Sequence, residues 1–113
     1  MTNEKFISEV ETLKKFFTIH CKDKHTNQHK NIKSIDYKSQ NYQVELELCD
    51  ECKQLINYSI ERLQGCPHEI KPRCRKCPNP CYEKPQWKRL AKLMRYSGMK
   101  LGILKIKRFF RLN

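Results

Sequence analysis

Between Cys66 and Cys81 the chain reads Cys-Pro-His-Glu-Ile-Lys-Pro-Arg-Cys-Arg-Lys-Cys-Pro-Asn-Pro-Cys, four of its seven cysteines at the spacing Cys-x7-Cys-x2-Cys-x3-Cys. Four of the five prolines, Pro67, Pro72, Pro78 and Pro80, fall in the same run. Proline removes a backbone donor and fixes φ, so neither a helix nor a ladder strand is expected here. With little apolar bulk, the run needs cross-links to hold a shape. Four soft thiolates around one metal centre, from Cys66, Cys74, Cys77 and Cys81, would supply them.

A second ligand set emerges from the helical pattern on the N-terminal side. Residues 4–25 read as an amphipathic helix with Phe6, Val10, Leu13, Phe17 and Cys21 at three- and four-residue steps, Asn3 as N-cap and Glu4 in the first turn. His25 lies one turn beyond Cys21 on the same face, so the two can reach one ion. Taken alone, the pair reads as a buried free cysteine beside a surface histidine. Cys49-Asp-Glu-Cys52 changes that reading. It opens a second helix running to about Gln64, buried along Cys52, Leu55, Ile56, Ser59, Ile60 and Leu63, with Gly65 at the C′ position. A Cys-x2-Cys at a helix N-terminus favours thiolate, for metal binding or dithiol redox work. The βαβ setting of redox motifs is missing, so metal is the better assignment.

Each set fills four positions, as a closed structural zinc site does, and leaves no position for substrate. Zinc is expected for Cys21, His25, Cys49 and Cys52. For the all-thiolate set zinc is preferred, with an iron–sulfur cluster as the rival, because tight Cys-x2-Cys-x3-Cys runs beside proline hold such clusters too. Exchange of ligands between the sets, or a contribution from His68, remains open at this level.

Between the two helices, residues 26–43 are polar and rich in Asn, Gln, Lys and Ser. They are expected to form a long, mobile insertion. Val44, Leu46 and Leu48 alternate with polar residues, which permits a short strand or a helical lead-in. His29 reads as an ordinary loop histidine. Pro85 suits the start of a third helix over 85–97, with Trp87, Leu90, Ala91, Met94 and Ser97 on its apolar face. Gly98 is expected to end or bend it, and the tail to Asn113 forms a cationic amphipathic segment.

Charge is divided unevenly along the 113 residues. Residues 1–70 hold ten Lys/Arg against eleven Asp/Glu, whereas 71–113 hold fourteen against one, giving a total of +12. Lys88, Arg89, Lys92, Arg95, Lys105, Lys107, Arg108 and Arg111 are candidate polyanion contacts, to nucleic acid or an anionic surface. Apolar content is 38%, so the core is thin and metal cross-links suit it. The expected fold class is a mainly α, metal-stabilised helical single domain with a cysteine-rich knuckle loop. An odd cysteine count, a start without an apolar signal core and no membrane-spanning run point to a reducing cytoplasm.

The run Cys49-x2-Cys52-x2-Leu55…Tyr58…Arg62-Leu63…Cys66-Pro67…Lys71-Pro72-x-Cys74-x2-Cys77-Pro78-x2-Cys81-Tyr82 resembles the nitrous oxide-stimulated promoter family (YgbA-like proteins). Met94-Arg95-Tyr96-Ser97-Gly98 matches as well, as does the pair Cys21 and His25. The resemblance covers most of the chain and is poorest in 26–43 and after Gly98. It implies a small bacterial cytoplasmic protein in a nitrogen-oxide stress context and carries no biochemical activity. Nitric oxide attacks both zinc thiolates and iron–sulfur clusters, which fits the ligand sets.

Three functions follow. The first is a non-enzymatic metal-binding protein of the nitrosative-stress response, acting through an unknown protein partner or as a sensor. The second is a nucleic-acid-binding zinc protein using the basic C-terminal part, although no recognised reading motif is present. The third is a thiol redox enzyme using Cys49 and Cys52. No Ser/His/Asp grouping, paired carboxylates or glycine-rich phosphate loop supports another enzyme class.

Overall fold

A computed structural model describes residues 2–65 and 82–111, with side chains described as far as Gly102. Its elements are α1 (Asn3–Lys24), β1 (His29–Tyr37), β2 (Gln40–Leu48), α2 (Asp50–Gln64) and α3 (Lys84–Arg111). The Cys66–Cys81 run, and with it the expected knuckle loop, lies outside the described residues.

The apolar stripe of α1 is buried as its spacing requires, at Phe6, Val10, Leu13, Phe17 and Cys21. The helix starts one residue earlier than expected. Thr2 is the N-cap, its hydroxyl accepting from the Lys5 N–H at 3.1 Å. Asn3 instead reaches across to the sheet, its Nδ2 donating to the Tyr37 carbonyl at 3.1 Å and to Tyr42 Oη at 3.0 Å. In α2, the buried residues are Cys52, Leu55, Ile56, Ser59, Ile60 and Leu63, the expected face. Gly65 follows with φ −89° and its N–H on the Glu61 carbonyl, so the left-handed closure does not form.

The mainly α fold class is corrected by the segment between these helices. In place of a mobile insertion over 26–43, β1 and β2 form a two-stranded antiparallel hairpin, and β2 takes in Val44, Leu46 and Leu48. The register pairs Tyr37 with Gln40, Ile35 with Tyr42, Lys33 with Val44 and Asn31 with Leu46. Lys38 and Ser39 make the two-residue turn, both with positive φ, at 45° and 66°. That conformation matches the twist of paired strands but is usually supplied by Asn-Gly. Period-two alternation puts Ile35, Tyr37, Val44, Leu46 and Leu48 into the core and leaves Ile32 on the outer face, 66% exposed. The physical reason for the departure is burial. A polar ribbon pairs stably when its inner face has a surface to cover. Here Tyr37 stacks on Phe6 with ring centroids 4.0 Å apart. Each such ring contributes about 1.5–3 kcal/mol on burial.

The third helix also departs from expectation. It runs unbroken from Lys84 to Arg111 through Gly98 and Gly102. Glycine in a helix interior costs about 1 kcal/mol against alanine, a penalty that tertiary packing offsets. Leu90, Leu93 and Ser97 are buried, while Trp87 and Met94 pack at the edge of the core. Ser97 Oγ donates to the Phe16 carbonyl at 2.7 Å, fastening α3 to the middle of α1. Tyr96 Oη and Lys100 Nζ both donate to Asp23 near the end of α1. Thus α1 packs against α2, α3 and β2 together. Among the described residues, no helix is long and apolar enough to cross a membrane.

Candidate metal centre

The end of α1 and the start of α2 meet where the hairpin returns the chain. At the first of these, the His25 N–H still bonds to the Cys21 carbonyl at 2.9 Å, so the last helical turn carries both side chains onto one face. At the second, Cys49 is the N-cap of α2 and its side chain makes no capping bond. Its backbone N–H points instead at Cys21 Sγ, 3.3 Å away. Cys52 follows one turn later, facing the core.

These placements bring one ligand atom from each of Cys21, His25, Cys49 and Cys52 within 4.8 Å of one another. His25 Nδ1 lies 3.2 Å from Cys52 Sγ and 3.5 Å from Cys49 Sγ. A tetrahedral zinc ion, with Zn–N of about 2.0 Å and Zn–S of about 2.3 Å, requires N···S separations of about 3.5 Å. All three cysteines are buried and unpaired in disulfides, and His25 is half-buried.

The electrostatics of the cluster favour a cation. Burial raises the Cys21 thiol, but the Cys49 N–H, then Gln28, His25 and Cys49, outweigh it and bring Cys21 down to about 7. Cys52 is pushed up, first by burial and then by its hydrogen bonds to Cys49 and Cys21. One sulfur can thus ionise readily only while its neighbour stays protonated. A bound divalent ion reverses this logic and lets neighbouring thiols ionise together.

The spacing did not point to two further residues. Gln28 Nε2 donates to the Cys21 carbonyl and the His25 carbonyl, both at 2.9 Å, and sits 3.5 Å from Cys21 Sγ. It thereby closes the C-terminal end of α1 and holds two residues of the cluster in place. Gln28 stands in a polar run without periodicity, so no local signal marks it. His20 packs edge-on against His25, with centroids 5.5 Å apart. Burial first, then the charges of His25, Lys24 and Lys92, lower its pKa. His29 is not in the cluster; its Nε2 pairs with Asp50 Oδ1 at 3.0 Å beside the α2 N-terminus.

Of the other expected site residues, Cys66, Cys74, Cys77 and Cys81 lie outside the described residues. Lys88, Arg89, Lys92 and Arg95 are exposed along α3 opposite its buried face, with Arg89 paired to Glu51 at 3.2 Å. Lys105, Lys107, Arg108 and Arg111 fall on the last turns of α3, beyond the described side chains.

No curated protein and no solved structure matches the chain. The sequence model of the nitrous oxide-stimulated promoter family matches residues 4–105, which span every element from α1 into α3 and all four clustered residues. The chain therefore belongs to the nitrous oxide-stimulated promoter family.

Proposed function

We propose that this chain is a non-enzymatic, metal-binding protein of the bacterial nitrosative-stress response. In this reading Cys21, His25, Cys49 and Cys52 hold one structural zinc ion. The observation that carries it is the convergence of three thiols and one imidazole within 4.8 Å at the junction of two helix ends. Three thiolates and a neutral imidazole leave the ion's charge slightly overbalanced and fill four positions, as in structural sites. A filled shell suits a structural or sensing role, in which loss of the ion loosens α1 from α2. Zinc thiolates react with nitrogen oxides, which connects the centre to the stress named by the family. The signal would pass through a protein partner or through the chain's own change of shape.

Cys66, Cys74, Cys77 and Cys81 are proposed as a second centre, with zinc preferred over an iron–sulfur cluster. The test is metal and sulfide analysis of anaerobically purified protein, together with the Cys52→Ala variant. Two zinc ions per wild-type chain and one in the variant are expected. Iron with acid-labile sulfide would reassign the second set to a cluster. Retention of the full zinc content by the variant would overturn the first.

A second reading, nucleic-acid or anionic-surface binding, is favoured by the exposed row Lys88, Arg89, Lys92 and Arg95 on α3. Duplex DNA, single-stranded RNA and acidic vesicles are the probes. Binding that weakens by about 0.9 log unit per log of salt for each duplex phosphate contact would support it. No binding to any of the three at low salt would remove it. The thiol redox alternative predicts fast reaction of Cys49 and Cys52 with a thiol reagent in the metal-loaded protein; slow reaction excludes it.

A further inference from the structure

Beside the candidate metal centre lies an open cavity of about 390 Å³ between the end of α1, the first turns of α2 and the middle of α3. Its inner wall is the centre itself, through His25 and Cys52. Leu55 and Leu93 form an apolar floor, both almost fully buried. Lys24, Lys92, Arg89 and one acid, Glu51, stand at its rim.

The charges at that rim are not used up by the fold. Arg89 is paired with Glu51, so this couple is close to neutral. Lys24 lies over the Tyr96 ring at 4.8 Å, a contact that leaves its charge free for an anion. Lys92 makes no ion pair and no hydrogen bond among the described residues. Asp23, the nearest acid on α1, is engaged by Tyr96 and Lys100. A centre of three thiolates and one divalent ion would balance only one of the two ammonium groups. His20 also lines the cavity, although its Nδ1 is turned into the protein, buried without a hydrogen-bond partner. Apolar floor and cationic rim together describe a pocket for one kind of ligand.

We propose that this cavity binds a small organic anion, an oxyanion group carried on an apolar body, with the body on Leu55 and Leu93 and the oxyanion between Lys24 and Lys92. A ligand seated there touches His25 and Cys52 from outside. The site thus gives the metal centre a route to respond to a small molecule without opening its coordination shell. The cations belong to the protein and not to the ion. Zinc content measured on the same sample therefore separates failure of the metal reading from failure of the pocket.

The experiment is an NMR titration of the zinc-loaded, full-length chain with phenyl phosphate, benzoate and inorganic phosphate. Phenyl phosphate and benzoate distinguish a phosphate ester from a carboxylate as the preferred oxyanion. Amide shifts should concentrate at Lys24, Leu55 and Lys92, and the better aromatic anion should bind at least about tenfold more tightly than inorganic phosphate. Lys92→Glu should weaken that binding about tenfold with zinc content unchanged, and Lys24→Gln should weaken it in the same direction. The proposal is overturned if neither aromatic anion binds at about 10 mM. Equal binding of all three anions, shifts confined elsewhere, or variants that bind as wild type would overturn it too.

Discussion

Replacing Cys52 with alanine tests whether the four-residue cluster is a metal cross-link or a buried thiol group. If it is a cross-link, the ion ties α1 to α2 across a separation of 28 residues between Cys21 and Cys49. Treated with the chain-entropy relation used for disulfides, closing a loop of that length stabilises the fold by about 3.6 kcal/mol. An unfolding entropy of about 2.1 cal/mol/K per residue over the chain converts this to a fall in Tm of about 15 °C. If Cys52 is merely a packed core residue, truncation removes little more than one buried group. The cost is then about 1 kcal/mol, or about 4 °C. The assay is thermal unfolding of wild type and variant, each with and without a strong chelator. Chelation should lower the wild-type Tm by a similar amount, and the variant should lose that part of the response. Any response the variant retains would be assigned to the proposed second centre at Cys66–Cys81. A fall of no more than about 4 °C, with the chelator response intact, would refute the cross-link.

Gln28→Ala should lower zinc affinity about 10- to 100-fold by freeing the Cys21 and His25 carbonyls, measured by competition with a chromophoric chelator. Replacing Lys38-Ser39 with Asn-Gly should raise stability by about 1 kcal/mol, because both positions hold positive φ; an unchanged denaturation midpoint would contradict the turn geometry. Gly98→Ala should stabilise by about 0.5–1 kcal/mol, since a Cβ there meets nothing within 4 Å, and the readout is again the midpoint. The α1–α3 fastening should depend on pH at both ends. Hydrogen bonds from Lys100 and then Tyr96 depress the Asp23 pKa, so its contribution is present above the ordinary carboxylate range and is lost as pH falls through the lowered value. Lys100 is raised by the same bond, so its contribution is lost as pH rises through the raised value. Asp23→Asn should flatten both limbs of a stability–pH profile.

The buried faces of α1 and α2 and the four residues of the cluster were legible in the sequence because their information is local. A stripe at three- and four-residue steps states which face of α1 is buried, and a Cys and His one turn apart state that both share it. Cys49 and Cys52 announce themselves in the same way at the opening of α2. The β2 half of the hairpin was legible, since the alternation of Val44, Leu46 and Leu48 permits a short strand, but its pairing with β1 was not. The inner positions of β1 include Lys33 beside Ile35 and Tyr37, and its turn is Lys-Ser, so neither alternation nor turn chemistry stands out. Its strands acquire a reason to pair from Phe6 and the rest of the α1 face, which lie far away in sequence. The continuity of α3 through Gly98 has the same origin, since Leu90, Leu93 and Ser97 meet partners on other elements.

Sequence alone also left open which cysteines and histidines meet in one cluster, since spacing constrains residues only within one element. It took the hairpin's return path to set Cys49 against Cys21, and the resulting fold to bring Gln28 across the helix end. The cavity beside the centre is a tertiary product in full, with Lys24 from α1, Leu55 from α2 and Lys92 from α3. Residue type and period determine which face of a helix is buried and which side chains can bind metal. Only packing determines what that face meets, because the free energy of burial belongs to pairs of surfaces and not to either surface alone.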